Sequence, residues 1–160
     1  MIVTLTPVEH ALSRRIAMLR YESNRKKGNV NHLRIPDKYE AHEMNGFGAE
    51  LAVCKALNVY PDLSISEAPA ADLQYKNADI DVKQSSTKSA HLLLAAEKVK
   101  LCEWYCLVIG DMPVYDIVGF ARLDDLRREE NLKDFGYGAT YALSQDKLMD
   151  ILDFVKTVQE

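Results

Sequence analysis

In the stretch ADLQYKNADIDVKQ, residues 71–84, Asp72, Asp81 and Lys83 stand at spacings that could form half of a metal site. Side chains alternate along a strand, so Asp81 and Lys83 share one face of DIDVK while Ile80 and Val82 point the other way, into a core. If DLQYK and DIDVK pair as a hairpin, Asp72 is carried across toward Asp81. Two like charges so placed repel unless a cation lies between them. Oxygen ligands select hard ions, and Mg²⁺ takes one or two carboxylates, keeps several waters and binds phosphate oxygens in its remaining positions. A lysine beside such an ion can hold a water or help deprotonate it. The same residues also suit a solvated acidic hairpin, and the stretch alone leaves both readings open.

The elements that would position these residues are legible in pattern. Thr6-Pro7-Val8-Glu9 combines a capping hydroxyl, a proline at the first helical position and a glutamate three residues after the cap, which predicts a helix start. Its apolar face is Val8, Leu12, Ile16 and Leu19, ending in the polar stretch 23–29. GAELAVCKALN predicts a second helix to about Leu57, with Gly46 and Gly48 as interruptions. Glu50 precedes an apolar run on that helix, so its carboxylate must be solvated, paired or bound, and the glycines allow a ligand or backbone to come close.

From Asp62 the pattern changes to DLSIS, DLQYK and DIDVK, three short β-type segments. HLLLA fits either a fourth strand or the start of a helix through Glu97 and Lys100. WYCLVIGD and YDIVGF read as paired strands, and LDDLRREENL and SQDKLMDILDFVKTV as helices. The expected class is α/β (α+β) around a central mixed β-sheet flanked by helices, in one domain spanning residues 1–160.

Composition narrows the setting. No apolar run approaches the roughly 18 residues needed to cross a bilayer, and the N-terminal residues lack a basic region followed by an apolar one, so a soluble, unsecreted, cytoplasmic protein is expected. Cys54, Cys102 and Cys106 form an odd set in apolar surroundings and read as reduced core thiols. His10, His32, His42 and His91 are scattered outside any recognisable catalytic setting. Tyr137 and Phe135, in DFGYGATY, suit either base stacking or packing at a helix end. The net charge is -4, yet residues 10–38 hold eight basic side chains against two acidic ones. That segment reads either as a phosphate-tracking element or as a solvated helix face.

A helix bearing Glu50, then a segment opening on Asp72, then a strand carrying Asp81 and Lys83 resembles the PD-(D/E)XK nuclease superfamily, over about residues 46–120. By matching positions, Asp72 corresponds to the first metal-binding aspartate, Asp81 to the second acid, Lys83 to the lysine and Glu50 to the helical glutamate. Ala71 stands where the superfamily's proline would be, and the nearest proline is Pro69. The resemblance implies a restriction-endonuclease-like core with additional N- and C-terminal helices, and metal-dependent hydrolysis of DNA phosphodiesters in restriction, repair or junction resolution. On that reading Asp72, Asp81 and the Val82 carbonyl hold Mg²⁺, with Mn²⁺ as a substitute, Glu50 binds the attacking water or a second ion, and Lys83 orients the water. Arg14, Arg15, Arg25, Lys26 and Lys27 would then track a DNA backbone, Gln84 would adjoin the site, and a homodimer could cut two strands. The competing expectation is a catalytically inactive nucleic-acid-binding or assembly module with the same fold.

Overall fold

The computed structural model describes residues 1–26, 39–65, 71–99, 101–136 and 138–159. Strand β1 (Ile2–Thr4) leads into helix α1 (Pro7–Lys26), and helix α2 (Tyr39–Leu57) follows. The Thr6 capping box forms as expected: the Thr6 N–H donates to Glu9 Oε2 (2.6 Å) and the Glu9 N–H to Thr6 Oγ1 (3.3 Å). The buried face of α1 is rotated from the predicted one. Val8 is 78% exposed, whereas Ser13, Ile16 and Ala17 are buried, so the helix presents its small residues to α2. Helix α2 ends where Asn58 turns left-handed (φ 55°) and the Val59 N–H reaches back to the Cys54 carbonyl (2.9 Å).

Strands β2 (Leu73–Tyr75) and β3 (Ala78–Ser85) form the expected hairpin, with Leu73 opposite Ile80. After β4 (Leu92–Ala95) come β5 (Trp104–Asp111) and β6 (Val114–Arg122), then a single-turn helix α3 (Leu123–Leu126), β7 (Leu132–Asp134), β8 (Ala139–Leu143) and helix α4 (Ile151–Gln159). Five strands make a mixed sheet in the order β1-β6-β5-β3-β2, in which β3 and β5 run parallel. Parallel neighbours need a long crossover. Here it carries β4 into a second, three-stranded sheet, β4-β8-β7. The molecule is therefore mixed α/β, with helices flanking a mixed sheet.

Each face of the larger sheet buries its own apolar cluster. Ile80, Trp104, Cys106 and Val108 pack beneath Ala49, Ala52 and Val53 of α2 and Phe154 of α4. Tyr105, Leu107 and Ala121 face Leu92, Leu94 and Leu143 of the smaller sheet. Phe154 stacks on Phe120 (centroids 4.1 Å apart) and meets Trp104 edge-on (5.0 Å).

Several sequence expectations are corrected. DLSIS is not a strand over residues 62–65, because Asp62 folds the chain by accepting from the Ser64 N–H (2.9 Å) and hydroxyl (2.8 Å). Of the two options open for HLLLA, the strand is the one formed. LDDLRREENL supplies one α-helical turn and, at Glu129–Asn131, a short 3-10 turn, with the buried Asn131 amide donating to the Asp125 and Leu126 carbonyls and closing the α-helix off. The last helix begins late: Met149 is drawn into a bridge with Phe120, and Asp150 caps the helix from the Leu152 and Asp153 N–H groups (2.8 and 3.0 Å). Strands β1, β7 and β8 were not anticipated. Tyr137 lies outside the described residues.

The two glycines of α2 separate cleanly in role. A Cβ on Gly46 would meet nothing within 4 Å, whereas one on Gly48 would fall 2.2 Å from the Tyr115 hydroxyl, which donates to the Asn45 carbonyl (3.2 Å). Gly46→Ala is expected to stabilise the fold by about 1 kcal/mol through helix propensity. Gly48→Ala is expected to cost about 1–3 kcal/mol by overpacking. Urea unfolding of both variants checks the opposite signs.

Candidate active site

The candidate site lies where β2 stops short and leaves the edge of β3 uncovered. The Val82 N–H points out of that edge and would be unpaired. Asp72, just before β2, satisfies it: its Oδ2 accepts from the Val82 N–H at 2.7 Å, while its own N–H donates to the Ile80 carbonyl (3.0 Å). In an extended strand the N–H and C=O of one residue leave on the same side, so the Val82 carbonyl faces this edge as well.

Asp81 projects to the face shared with its register partner Tyr105. Its side chain is only 10% exposed, and each carboxylate oxygen carries an ammonium, Lys83 on Oδ1 and Lys98 on Oδ2. Lys98 comes from the turn after β4, where its N–H donates to the Ala95 carbonyl (3.1 Å), and its Nζ sits 5.6 Å from the Tyr105 ring centroid. Burial works against the Lys98 charge, but the bond to Asp81 and the charges around it outweigh that and raise its pKa above the ordinary lysine value.

Glu50 reaches the edge from the opposite face, on α2. It pairs with Arg20 of α1 (Nη1 to Oε2, 3.2 Å), both side chains being under one-fifth exposed. Arg20 also donates to the Asp62 carbonyl (2.9 Å) and the Ser64 carbonyl (3.2 Å), and lies over the Phe47 ring (4.8 Å). One guanidinium thus joins α1, α2 and the segment after α2. Beside it a cavity of about 190 Å³ opens between the helices, lined by Ala17, His42, Glu43, Gly46 and Phe47 with the Arg20–Glu50 pair.

The carboxylates act on one another. Burial, then the charge of Asp72, pushes Glu50 up to about 8, and Arg20 only partly pulls it back. Burial, then the charge of Asp81, raises Asp72, opposed by its bond from Val82 and by Lys83 and Lys98. Glu50, Asp72, Asp81 and Lys83, which sequence reasoning singled out, therefore form one electrostatic group. Asp72, Asp81 and the Val82 carbonyl are hard oxygen donors of the kind that Mg²⁺ accepts, and a divalent ion would relieve the repulsion between the two aspartates. Among the described residues, no three His, Cys, Asp or Glu side chains are gathered in a ready-made metal cluster. A cation here would draw on two carboxylates, a carbonyl and water.

The proposed phosphate-tracking residues are distributed differently. Arg14, Arg15 and Lys26 are exposed on α1, while Arg25 donates to the Tyr21 hydroxyl (3.0 Å) and lies over its ring (5.5 Å). Lys27 lies outside the described residues, as do Arg34 and Lys38. Gln84 turns away to the β5–β6 connection, donating to the Gly110 carbonyl (2.8 Å). Cys54, Cys102 and Cys106 are buried thiols outside any disulfide. Sequence reasoning missed Arg20 and Lys98 as members of the site. A buried cation one turn beyond Ile16 on α1 could have signalled Arg20, since it must find a partner; nothing local marked Lys98.

Comparison with protein-family models, with curated proteins and with solved structures returned no match to this chain.

The raised Glu50 makes a prediction with a definite sign. Its folded pKa of about 8 lies above the ordinary value of 4.5, so between these pH values the folded state holds a proton that the unfolded state has lost, and stability falls as pH rises through that window. Glu50→Gln, measured by thermal unfolding in chelator, is expected to match the native protein near pH 4.5 and to exceed it increasingly toward pH 8. The gap should reach about 1 kcal/mol or more, a few degrees in Tm.

Proposed function

We propose that this protein is a Mg²⁺-dependent deoxyribonuclease with a restriction-endonuclease-like core, acting on DNA as an endonuclease. The observation that carries the reading is the Asp72 carboxylate bonded to the Val82 N–H at 2.7 Å, where its charge raises Glu50 and is itself opposed by that of Asp81. This sets Asp72 between two other carboxylates, Glu50 and Asp81, with Lys83 beside the second.

Asp72, Asp81 and the Val82 carbonyl would hold the ion, and Glu50 would serve the attacking water. When bound, Mg²⁺ or Mn²⁺ supplies charge stabilisation at the phosphoryl oxygen and lowers the pKa of water. The protein's own groups do the rest. Lys83, fixed two residues along the same strand face from Asp81, orients the water in line with the scissile bond. Glu50, held by Arg20 in low dielectric and raised to about 8, accepts a proton near neutral pH. The exposed cations of α1, Arg14, Arg15 and Lys26, would follow the DNA backbone, and a homodimer would cut both strands.

A second reading is favoured by one observation: both oxygens of Asp81 are engaged by lysines, which is how a purely structural ion cluster looks. On it the chain is a non-catalytic nucleic-acid-binding or assembly module.

A plasmid-nicking assay separates the two. The native protein is expected to relax supercoiled DNA in Mg²⁺ or Mn²⁺, and Asp81→Ala and Lys83→Ala are each expected to slow it by about 100-fold or more. Equal cleavage by all three would remove the proposed site, and binding without cleavage by the native protein would establish the module reading. In Ca²⁺, native binding should weaken steeply with salt, and Lys26→Glu should weaken it further.

A further inference from the structure

Asp81 carries more positive charge than the reaction scheme uses. Lys83 lies on its own strand, two residues away, and would be near Asp81 in any fold that keeps β3. Lys98 is different. It arrives from the crossover, across the Tyr105 ring, and takes the one Asp81 oxygen that Lys83 leaves.

The backbone at Lys98 does not depend on its side chain. Its turn is held without the side chain, by the Lys98 N–H to the Ala95 carbonyl (3.1 Å) and the Ala96 N–H to the Ala139 carbonyl (2.9 Å). The next residue, Val99, is 92% exposed, so the turn borders solvent. The lysine stem has four rotatable carbons and a point charge with no preferred plane. Arg20 makes the opposite case, with three hydrogen-bond partners on two segments and an aromatic ring beneath it.

We propose that Lys98 is an exchangeable counter-ion of the site: it competes with the divalent cation for Asp81 Oδ2 and, once displaced, pairs with a non-bridging oxygen of the DNA phosphate. The inference rests on the nuclease reading above and adds a residue to it. The exchange is electrostatic throughout. The ammonium leaves one oxyanion and meets another, no covalent bond changes, and the positive charge needed by Asp81 alone becomes available to the phosphate that arrives with the metal. Lys83 keeps its place on Oδ1 and its role toward water.

Mn²⁺ binding measured by calorimetry or electron paramagnetic resonance, without DNA, tests the first half. Lys98→Met removes the competitor and is expected to bind Mn²⁺ about tenfold tighter than the native protein, while Lys98→Arg keeps the charge and stays near native. The second half is read from DNA binding in Ca²⁺: Lys98→Met should lower the slope of log affinity against log salt by about one phosphate contact. Cleavage at saturating metal should fall about 100-fold in Lys98→Met and recover in part in Lys98→Arg. Unchanged or weaker Mn²⁺ binding together with an unchanged salt slope in Lys98→Met overturns the proposal, and continued cleavage by the native protein then leaves the nuclease reading standing. Failure of the native protein and of both variants to bind Mn²⁺ overturns that reading itself, and this inference with it.

Discussion

An unpaired N–H at a sheet edge is the constraint from which the site follows. Strand β2 covers β3 only as far as Ile80, so the Val82 N–H needs an acceptor, and Asp72 provides it from the residue just before β2. That bond places a carboxylate between Glu50, on the α2 side of the sheet, and Asp81, on the side of the smaller sheet. Three acidic groups drawn together in partly buried surroundings could not all remain ionised without cations. Arg20, Lys83 and Lys98 supply them, from α1, β3 and the crossover turn respectively. The charge balance of one small edge thus depends on elements distant in sequence, and ties them together.

The cations are not equivalent. Arg20 is fixed by geometry: a planar guanidinium with acceptors on two segments behaves as a structural joint, and its loss would leave Glu50 buried beside Asp72 with no opposing charge. The lysines are point charges on flexible stems at a more open place, with side chains 34% and 29% exposed. The α2 face thus holds its charge by a multidentate guanidinium, and the other face by single ammonium contacts. The glycine pattern of α2 fits the guanidinium-held face. Gly48 lets the helix lie against Tyr115 and Met112, and Gly46 leaves open the cavity beside the Arg20–Glu50 pair.

What could be read in advance divides along physical lines. The Thr6 capping box, the β2–β3 hairpin and the paired strands β5 and β6 depend on neighbours in sequence, and local chemistry announced them. Asp81 and Lys83 shared a face because strand alternation demands it. The failures occur where a distant partner overrides local propensity. DLSIS has strand composition, but Arg20 takes the carbonyls of Asp62 and Ser64 that a sheet would have used. LDDLRREENL has helix composition, but the Asn131 amide ends the helix after one turn. Strands β7 and β8 pair with each other and with β4, a partnership fixed by the crossover and invisible in any short window. Lys98 belongs to the same category, because its turn has no pattern that points to Asp81.

The edge is also selective in the atoms it offers. Cys54 lies one helical turn from Glu50, and Cys102 lies near Asp81, so two sulfurs stand beside the carboxylates. Both are held protonated, first by burial and then by the charges of the site. Burial, then the negative charges of Glu50 and Asp72, raises Cys54 to about 12, and burial followed by Asp81 raises Cys102 to about 11. A thiol must lose its proton to ligate a metal, and crowded carboxylates oppose that loss while welcoming a cation themselves. Oxygen donors with room for water are what separates a Mg²⁺ or Mn²⁺ centre from a structural zinc.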